Sequence, residues 1–467
     1  MYKRVDEQTL KELRAIVGKD GVLVGEDELQ PYAHDETPEL NFPPEAAVRP
    51  QNRDEVKEIV KLAKRRRIPI TPRGGGTGLS GGAVPVFGGI VISFERMNRT
   101  KEIDEANLMV VTEPGVVTGD LGEAVESCGL FYPPDPVSLD SCTLGGNIAE
   151  CAGGPRAVKY GVTRDYVQGL EVVFPDGEIG KLGGKLLKDV TGYSLLDIVI
   201  GSEGTLAIVT EATLRLLPLP SQKVDLVIPF NDTSAMVETV STMMRRGIVP
   251  STVELMEGKG LKATERFLKR DIPFSDADAQ ILVELDGNRS DELARLYEMV
   301  GEIALEKGAL DVLVAEDKSA QEKVWEPRKN IGDALKETGN LIIRDDLVVP
   351  PSLIPALLEE LKIIEEKYEV EIYCFGHMGD GNIHVDIVAG GSFREFEDHH
   401  AREKLIGDLY RVTLQLGGSI TAEHGIGYVK KSWLHLGASQ SQIELMKKIK
   451  LAFDPENILN PGKIFDL

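Results

Sequence analysis

Two short segments toward the C-terminus concentrate side chains able to hold a metal or move a proton: Gly376-His377-Met378-Gly379-Asp380-Gly381-Asn382-Ile383-His384 and Thr421-Ala422-Glu423-His424-Gly425. Between His377 and His384, the Gly379-Asp380-Gly381-Asn382 turn can fold two strands into a hairpin and bring both imidazoles onto one face. Two neutral imidazoles plus a carboxylate, for which Glu423 is the candidate, make a partial shell for Zn, Mn or Fe(II) with positions open for substrate. An isolated histidine pair is more often structural, and the same trio alone also suits a metal-dependent hydrolase.

A second kind of chemistry is suggested by glycine. A short strand expected over residues 68–71 runs into Pro72-Arg73-Gly74-Gly75-Gly76-Thr77-Gly78-Leu79-Ser80-Gly81-Gly82. Bare backbone N–H groups there can converge on a diphosphate where any Cβ would collide. In a Rossmann or P-loop site a helix follows and receives the phosphate; here Gly81, Gly82, Pro85, Gly88 and Gly89 forbid one, so loop amides alone are expected to do the work. Gly145-Gly146 with Gly153-Gly154, and Gly201 with Gly204, read as two further loops. One such loop is often an ordinary turn, but three, with Pro133-Pro134-Asp135-Pro136 between them, favour a long cofactor lying across a sheet.

The elements that must position these groups follow from periodicity. Residues 1–41 read as a helical lead-in with Leu10, Leu13 and Ile16 on one face, and an Asn-x-x-Glu pattern at Asn52 and Glu55 opens a helix striped by Val56, Ile59, Val60 and Ala63. Strand and turn signals then continue to Pro220. From Lys223 a strand-helix-strand rhythm predicts an α+β sheet with helices on one face. The expected divisions are 1–41, a cofactor domain at 42–220, an α+β cap at 221–415 and a closing segment at 416–467.

Bulk properties exclude several classes. A formal charge of −23 over 467 residues repels phosphate backbones and anionic lipid, so nucleic acid and membrane are poor partners. Residues 1–8 lack an apolar leader core and no run of about 18 apolar residues occurs, which predicts a cytoplasmic protein. Cys128, Cys142, Cys151 and Cys374 are too widely spaced for an iron-sulfur cluster, so an oxidoreductase built on this chain must pass electrons to oxygen, a small molecule or another protein.

Taken together, Pro72-Arg73-Gly74-Gly75-Gly76-Thr77-Gly78, Pro133-Pro134-Asp135-Pro136, Thr143-Leu144-Gly145-Gly146-Asn147-Ile148-Ala149, Lys159-Tyr160-Gly161, Gly201-Ser202-Glu203-Gly204-Thr205 and Asn460-Pro461-Gly462-Lys463 resemble, in order, the flavin subunits of glycolate oxidase and the D-lactate and D-2-hydroxyglutarate dehydrogenases. The resemblance covers almost the whole chain. It implies an α+β architecture: a vanillyl-alcohol-oxidase-type FAD-binding domain of two subdomains plus an α+β cap domain.

It also implies site roles. FAD is expected to lie on Arg73, Gly74, Gly75, Gly76, Thr77, Gly78, Pro134, Asp135, Ser141, Thr143, Gly145, Gly146, Ala149, Gly153, Gly154, Gly161, Glu203, Gly204, Val209 and Asn460. No histidine lies between His34 and His377, so a histidyl tether from the FAD domain is unavailable and the cofactor is expected to be non-covalent; Cys142 and Cys151 read as small buried hydrophobes. One divalent metal is implied on His377, His384 and Glu423, with His424 as base. Trp325-Glu326-Pro327-Arg328 resembles the family's carboxylate-binding segment, which makes Arg328 the first choice for the substrate carboxylate, Arg344 the second, and Asn382 an aid to positioning. Pro351 and Gly332 depart from patterns of relatives acting on dicarboxylates, which moves lactate above 2-hydroxyglutarate while glycolate stays open. The expected acceptor is another protein, an electron-transferring flavoprotein being one candidate. A metal-dependent hydrolase and a non-enzymatic electron-relay subunit are the readings from other classes.

Overall fold

The computed structural model describes residues 2–389 and 399–467; the part of the expected cap at 390–398 lies outside the described residues. The chain divides into two compact units, one formed by Met1–Gly153, Val162–Leu219 and Glu423–Leu467, the other by Gly154–Gly161 and Pro220–Ala422.

In the first unit, β1 (Val22–Leu23), β2 (Ala46–Val48), β3 (Ile70–Arg73) and β4 (Ile90–Ser93) form a sheet in the order β1-β2-β4-β3, parallel except at the β1–β2 pair. Parallel strands need cover, and helix Arg53–Arg66 supplies it by burying Val56, Ile59, Val60 and Ala63 with Ile70, Ile90 and Ile92. The Asn52 side chain caps that helix by accepting from the Asp54 and Glu55 N–H groups, as its spacing predicts. The lead-in holds helix Glu7–Val17, whose Leu13 and Val17 join the same core, and it also donates β1 to the sheet edge.

A second sheet in this unit is antiparallel throughout. It uses β5 (Thr100–Asp104) and β6 (Met109–Thr112), then, after the short β7 (Leu130–Phe131), β8 (Val167–Val173), β9 (Ile179–Gly183) and β10 (Ile208–Arg215), in the order β5-β6-β10-β8-β9; β7 pairs separately with β11 (Leu217–Pro218). Gly145 and Gly146, expected in a loop, instead lie in helix Leu144–Glu150. Thr143 takes the extended N-cap conformation and Leu144 and Ile148 bury one face; the glycines allow close packing, since a Cβ on Gly145 would stand 2.7 Å from Pro114 Cβ.

The second unit is one antiparallel sheet of seven strands: β12 (Gln222–Phe230), β13 (Thr252–Glu257), β14 (Ala279–Gly287), β15 (Leu313–Ala315), β16 (Asn340–Val348), β17 (Glu371–His377) and β18 (Asn382–Ala389), ordered β15-β12-β14-β13-β17-β18-β16. Helices cover both faces, which corrects the one-faced expectation. Helices Gly258–Leu268 and Lys318–Thr338 pack on the face carrying Val227, Met256, Leu282 and Phe375, while helices Thr233–Arg245, Ser290–Lys307 and Ile354–Tyr368 form a second group over the sheet. The physical reason is that β12 and β14 are buried at consecutive positions, hence on both sides. Helix Lys318–Thr338 contains Pro327, which removes one intrahelical N–H; the Lys323 carbonyl it would have met accepts instead from Arg270 Nη2 at 3.2 Å.

Candidate active site

The His377–His384 hairpin forms as the spacing predicts. His377 pairs with Asn382 and Phe375 with His384 across β17 and β18, so both imidazoles stand on one sheet face, ring centroids 5.1 Å apart. Gly381 has φ of +89°, and a Cβ there would lie 1.9 Å from the Val349 carbonyl, so only glycine makes this turn. The same period of two puts Glu254 on that face, opposite His377, and Arg344, Asp346 and Asp386 alongside His384.

Glu254 is fully buried; its Oε1 lies 2.6 Å from His377 Nδ1 and its Oε2 accepts from Arg328 Nε at 2.5 Å. Burial would raise this carboxyl, but His377 and Arg328 outweigh it and hold the group down to about 2. An ionised carboxylate can only accept, so His377 carries its proton on Nδ1, and Nε2 is the nitrogen whose lone pair can ligate. Arg328 is 6% exposed, lies with its guanidinium 5.2 Å from the Phe375 ring centroid, and keeps a buried Nη2 that has no hydrogen-bond partner among the described residues.

Arg344, the second carboxylate candidate, is differently placed. Its Nε and Nη2 donate to the fully buried Asp386 carboxylate at 3.1 and 2.9 Å, and Nη2 also donates to the Gly332 carbonyl. Asn382 donates from Nδ2 to the Leu347 carbonyl at 3.1 Å, which anchors its amide. Asp346 accepts from Thr421 Oγ1 and from the Ala422 N–H at 2.7 Å, fixing the two residues that precede Glu423. Glu423 and His424 themselves open the last segment of the first unit, His424 Nε2 standing 4.0 Å from Glu423 Oε1.

In the first unit the glycine loop leaves β3 and runs without helix through residues 74–82. Its bare backbone lies against residues 141–143: a Cβ on Gly74 would stand 2.3 Å from Thr143 Oγ1, and one on Gly75 2.3 Å from the Ser141 carbonyl. Arg73 is buried, its Nη1 donating to the His34 carbonyl at 2.6 Å, with burial lowering its pKa. Thr77 accepts only a long 3.4 Å contact from Ser138, and the Gly78 carbonyl accepts from Glu36. The C-terminal strand-like stretch closes the other side: Ile70 N–H donates to the Ile458 carbonyl, and Asn460 Nδ2 donates to the Gly82 and Glu203 carbonyls at 2.9 and 2.8 Å.

Glu203 is engaged through both ends. Its N–H donates to the Ala149 carbonyl, and its carboxylate accepts from the Ile426 and Gly427 N–H groups at 2.8 and 2.7 Å. Burial, against those two N–H groups and Lys463, holds this carboxyl at about 7; burial and then Glu203 push Glu150 well above the usual range. Val209 is buried in β10 and Gly204 has φ of +65°. Pro134 and Asp135 lie between β7 and helix Leu144–Glu150, Gly153 ends a segment of this unit, and Gly154 and Gly161 bound the eight residues that belong to the other. Cys142 is buried, donating to Thr118 Oγ1 at 3.3 Å.

Whether this cradle fits FAD can be tested on its own polar atoms. Asp35 Oδ2, Ser80 Oγ, Thr143 Oγ1, Glu150 Oε2 and Asn460 Oδ1 are buried without a hydrogen-bond partner among the described residues. Each such atom costs about 1–3 kcal/mol if left unsatisfied. Ribityl and ribose hydroxyls lying along residues 74–82 would donate to the acceptor oxygens of Asp35, Glu150 and Asn460, while the glycine N–H groups with the Ser80 and Thr143 hydroxyls are the donors a diphosphate requires; the residues fit.

Glu254, Asp346 and Asp386 were not anticipated from sequence; Glu254 is 123 residues from His377, and no local pattern joins them. The adjacent Asp345-Asp346 pair and the Asp two residues beyond His384 are the weak signals available.

Known proteins resemble this chain along nearly its full length. Residues 44–183 match the family described as FAD binding domain, and residues 219–464 that of FAD linked oxidases, C-terminal domain. Glycolate oxidase subunit GlcD of Bacillus subtilis is 42% identical over 434 residues, 93% of this chain and 92% of its own. D-lactate dehydrogenase of Anaerostipes hadrus is 38% identical over 469 residues, 99% and 98% of the two chains. The solved structure of p-cresol methylhydroxylase with substrate bound matches with a TM-score of 0.82 at 18% identity, covering 100% of this chain and 99% of that one, a likeness of fold alone. Among the described residues no helix is long and apolar enough to cross a membrane. With a glycine cradle fitted to FAD, a histidine hairpin beside a buried arginine, and this similarity along nearly its full length, the chain belongs to the FAD-linked 2-hydroxy-acid oxidoreductases, the family of glycolate oxidase flavin subunits and of D-lactate and D-2-hydroxyglutarate dehydrogenases, built on the vanillyl-alcohol-oxidase-type fold.

Proposed function

We propose that this protein is a metal-assisted dehydrogenase of a small 2-hydroxy acid, lactate first, which forms the 2-oxo acid and passes electrons to an external protein acceptor in the cytoplasm. The observation that carries the reading is the buried Nη2 of Arg328, without a hydrogen-bond partner among the described residues, on the helix packed over the sheet face that holds His377 and His384. A guanidinium nitrogen kept out of water without a partner calls for an anionic guest, and a carboxylate matches the fork.

His377, His384 and Glu423 are the proposed ligands of one divalent ion, Zn, Mn or Fe(II). When bound, FAD supplies a two-electron acceptor at flavin N5 and the ion supplies the acidity that an alcohol lacks. Arg328 holds the substrate carboxylate and thereby fixes the neighbouring hydroxyl and its carbon. Asn382, anchored on Leu347, limits the orientations of that carbon. His424 accepts the hydroxyl proton on a ring nitrogen.

Lactate is preferred over 2-hydroxyglutarate because Asp386 and the Gly332 carbonyl engage both Nε and Nη2 of Arg344, whereas Arg328, though paired with Glu254 through Nε, keeps an Nη2 without a partner among the described residues for one carboxylate. Glycolate, the substrate printed in the name of the Bacillus relative, is the alternative within the same chemistry. An electron-transferring flavoprotein is the first candidate acceptor. The test is anaerobic titration of the yellow holoenzyme with lactate, glycolate and 2-hydroxyglutarate. Lactate should bleach the flavin at the lowest concentration, His424→Ala should abolish bleaching with FAD retained, and a protein that none of the three reduces would overturn the proposal.

A further inference from the structure

Glu254 joins two groups that serve different ends of the substrate. Oε1 meets His377 Nδ1 at 2.6 Å and Oε2 meets Arg328 Nε at 2.5 Å. The side chains of Glu254, His377 and Arg328 are 0, 2 and 6% exposed, so water does not compete for either bond. A second bridge runs through Phe375, whose ring lies 5.2 Å from the Arg328 guanidinium carbon and 5.4 Å from the His384 ring. Each imidazole is therefore linked to the same arginine through one residue, His377 through Glu254 and His384 through Phe375.

We infer that Glu254 is a positioning residue that couples the metal site to the carboxylate site: by setting the His377 tautomer and aiming Arg328, it makes occupancy of either site strengthen the other. The inference rests on the proposed ligand set and on Arg328 as the carboxylate receptor. Its physical basis is that one carboxylate divides its negative charge between two donors. When His377 gives its Nε2 lone pair to a cation, its Nδ1–H becomes the stronger donor and draws charge toward Oε1. Oε2 then neutralises Arg328 less, and Nη2 has more positive charge to offer a substrate carboxylate. In the other direction, an anion at Nη2 turns Arg328 partly away from Oε2, which leaves Glu254 more basic toward His377 and the imidazole a better ligand. The two effects must be equal, because coupling between two binding events is reciprocal.

The isosteric Glu254→Gln change separates the roles. An amide presents one oxygen and one NH2, so it can satisfy His377 or Arg328 but not both. The experiment titrates Zn(II) into metal-stripped, FAD-loaded protein by calorimetry, with and without saturating propionate as a carboxylate lacking the hydroxyl. In the wild type, propionate should tighten zinc binding by about fivefold. In Glu254→Gln, zinc should bind about tenfold or more weaker, and the propionate effect should fall to about onefold with the flavin spectrum retained.

Arg328→Lys is the second variant, since lysine keeps the charge without the fork. It should lower the propionate effect and, because the Nε donor to Glu254 Oε2 is lost, tighten zinc binding in the absence of propionate, although Arg328 touches no proposed ligand atom. Variants that keep the wild-type zinc affinity and propionate effect, in a wild type that binds one zinc and is reduced by lactate, overturn the coupling alone. A wild type that takes up no zinc overturns the proposed function and this inference together.

Discussion

Asp386→Asn should open the enzyme to dicarboxylates. In the native site the Arg344 side chain is 20% exposed and Asp386 is fully buried, joined by Nη2–Oδ2 at 2.9 Å, so the pair is close to electrically neutral. A second substrate carboxylate about 4 Å from Arg344 would gain about 4 kcal/mol at an effective dielectric constant of about 20. The same carboxylate would stand about 6 Å from Asp386 and lose about 2.8 kcal/mol of that to repulsion. Asparagine keeps the shape and removes the repulsion. Discounted for the partial exposure of Arg344, the gain is about 1–2 kcal/mol, or roughly 5- to 30-fold. The assay is kcat/KM with an artificial acceptor for 2-hydroxyglutarate and for lactate. A rise in the 2-hydroxyglutarate-to-lactate ratio within that range is expected, and an unchanged or lower ratio would refute the idea that Asp386 silences Arg344.

Three further outcomes follow from the first unit. Gly75→Ala places a Cβ 2.3 Å from the Ser141 carbonyl; about 1–3 kcal/mol of strain should appear as weaker FAD retention on dialysis, with far-ultraviolet circular dichroism unchanged. Lys450→Met strips the donor from the Thr205 and Leu459 carbonyls and from Asp454, bonded at 2.8, 2.8 and 2.6 Å; losing one partner of a buried pair costs about 3–5 kcal/mol, read as a lower urea midpoint. Glu203 is held at about 7 against an unfolded value of about 4.3. The folded state therefore binds more protons between those values, and its stability falls as pH rises from about 4.3 to 7. Glu203→Gln should flatten that slope in apoprotein thermal melts, and a slope equal to the wild type would contradict it.

What could be read in advance depended on whether a signal was local. The His377–His384 hairpin needed only a turn and a period of two, and the Asn52 cap only an Asn-x-x-Glu spacing; both formed as expected. Gly145 and Gly146 suggest a loop because two adjacent glycines outweigh the Leu144 and Ile148 spacing, and the Thr143 side chain, though at the N-cap position, makes no capping hydrogen bond. The two-sided cover of the second unit was present in the short apolar runs at 226–230 of β12 and 281–283 of β14, which lack the alternation of a half-exposed strand. Glu254 and Asp386 left no comparable trace. Their importance comes from strand neighbours and from a helix that brings Arg328 over the sheet, contacts that exist only once β13, β17 and β18 are aligned.

Metal dependence is read from lactate-driven flavin reduction followed in one stopped-flow cell, on protein stripped with a chelator and then restored with one equivalent of Zn(II), Mn(II) or Fe(II). We expect the stripped protein to keep its FAD and its yellow colour, to lose rapid bleaching by lactate, and to regain it with metal. Bleaching at the same rate with and without the ion would contradict a role for His377, His384 and Glu423 in acidifying the substrate hydroxyl.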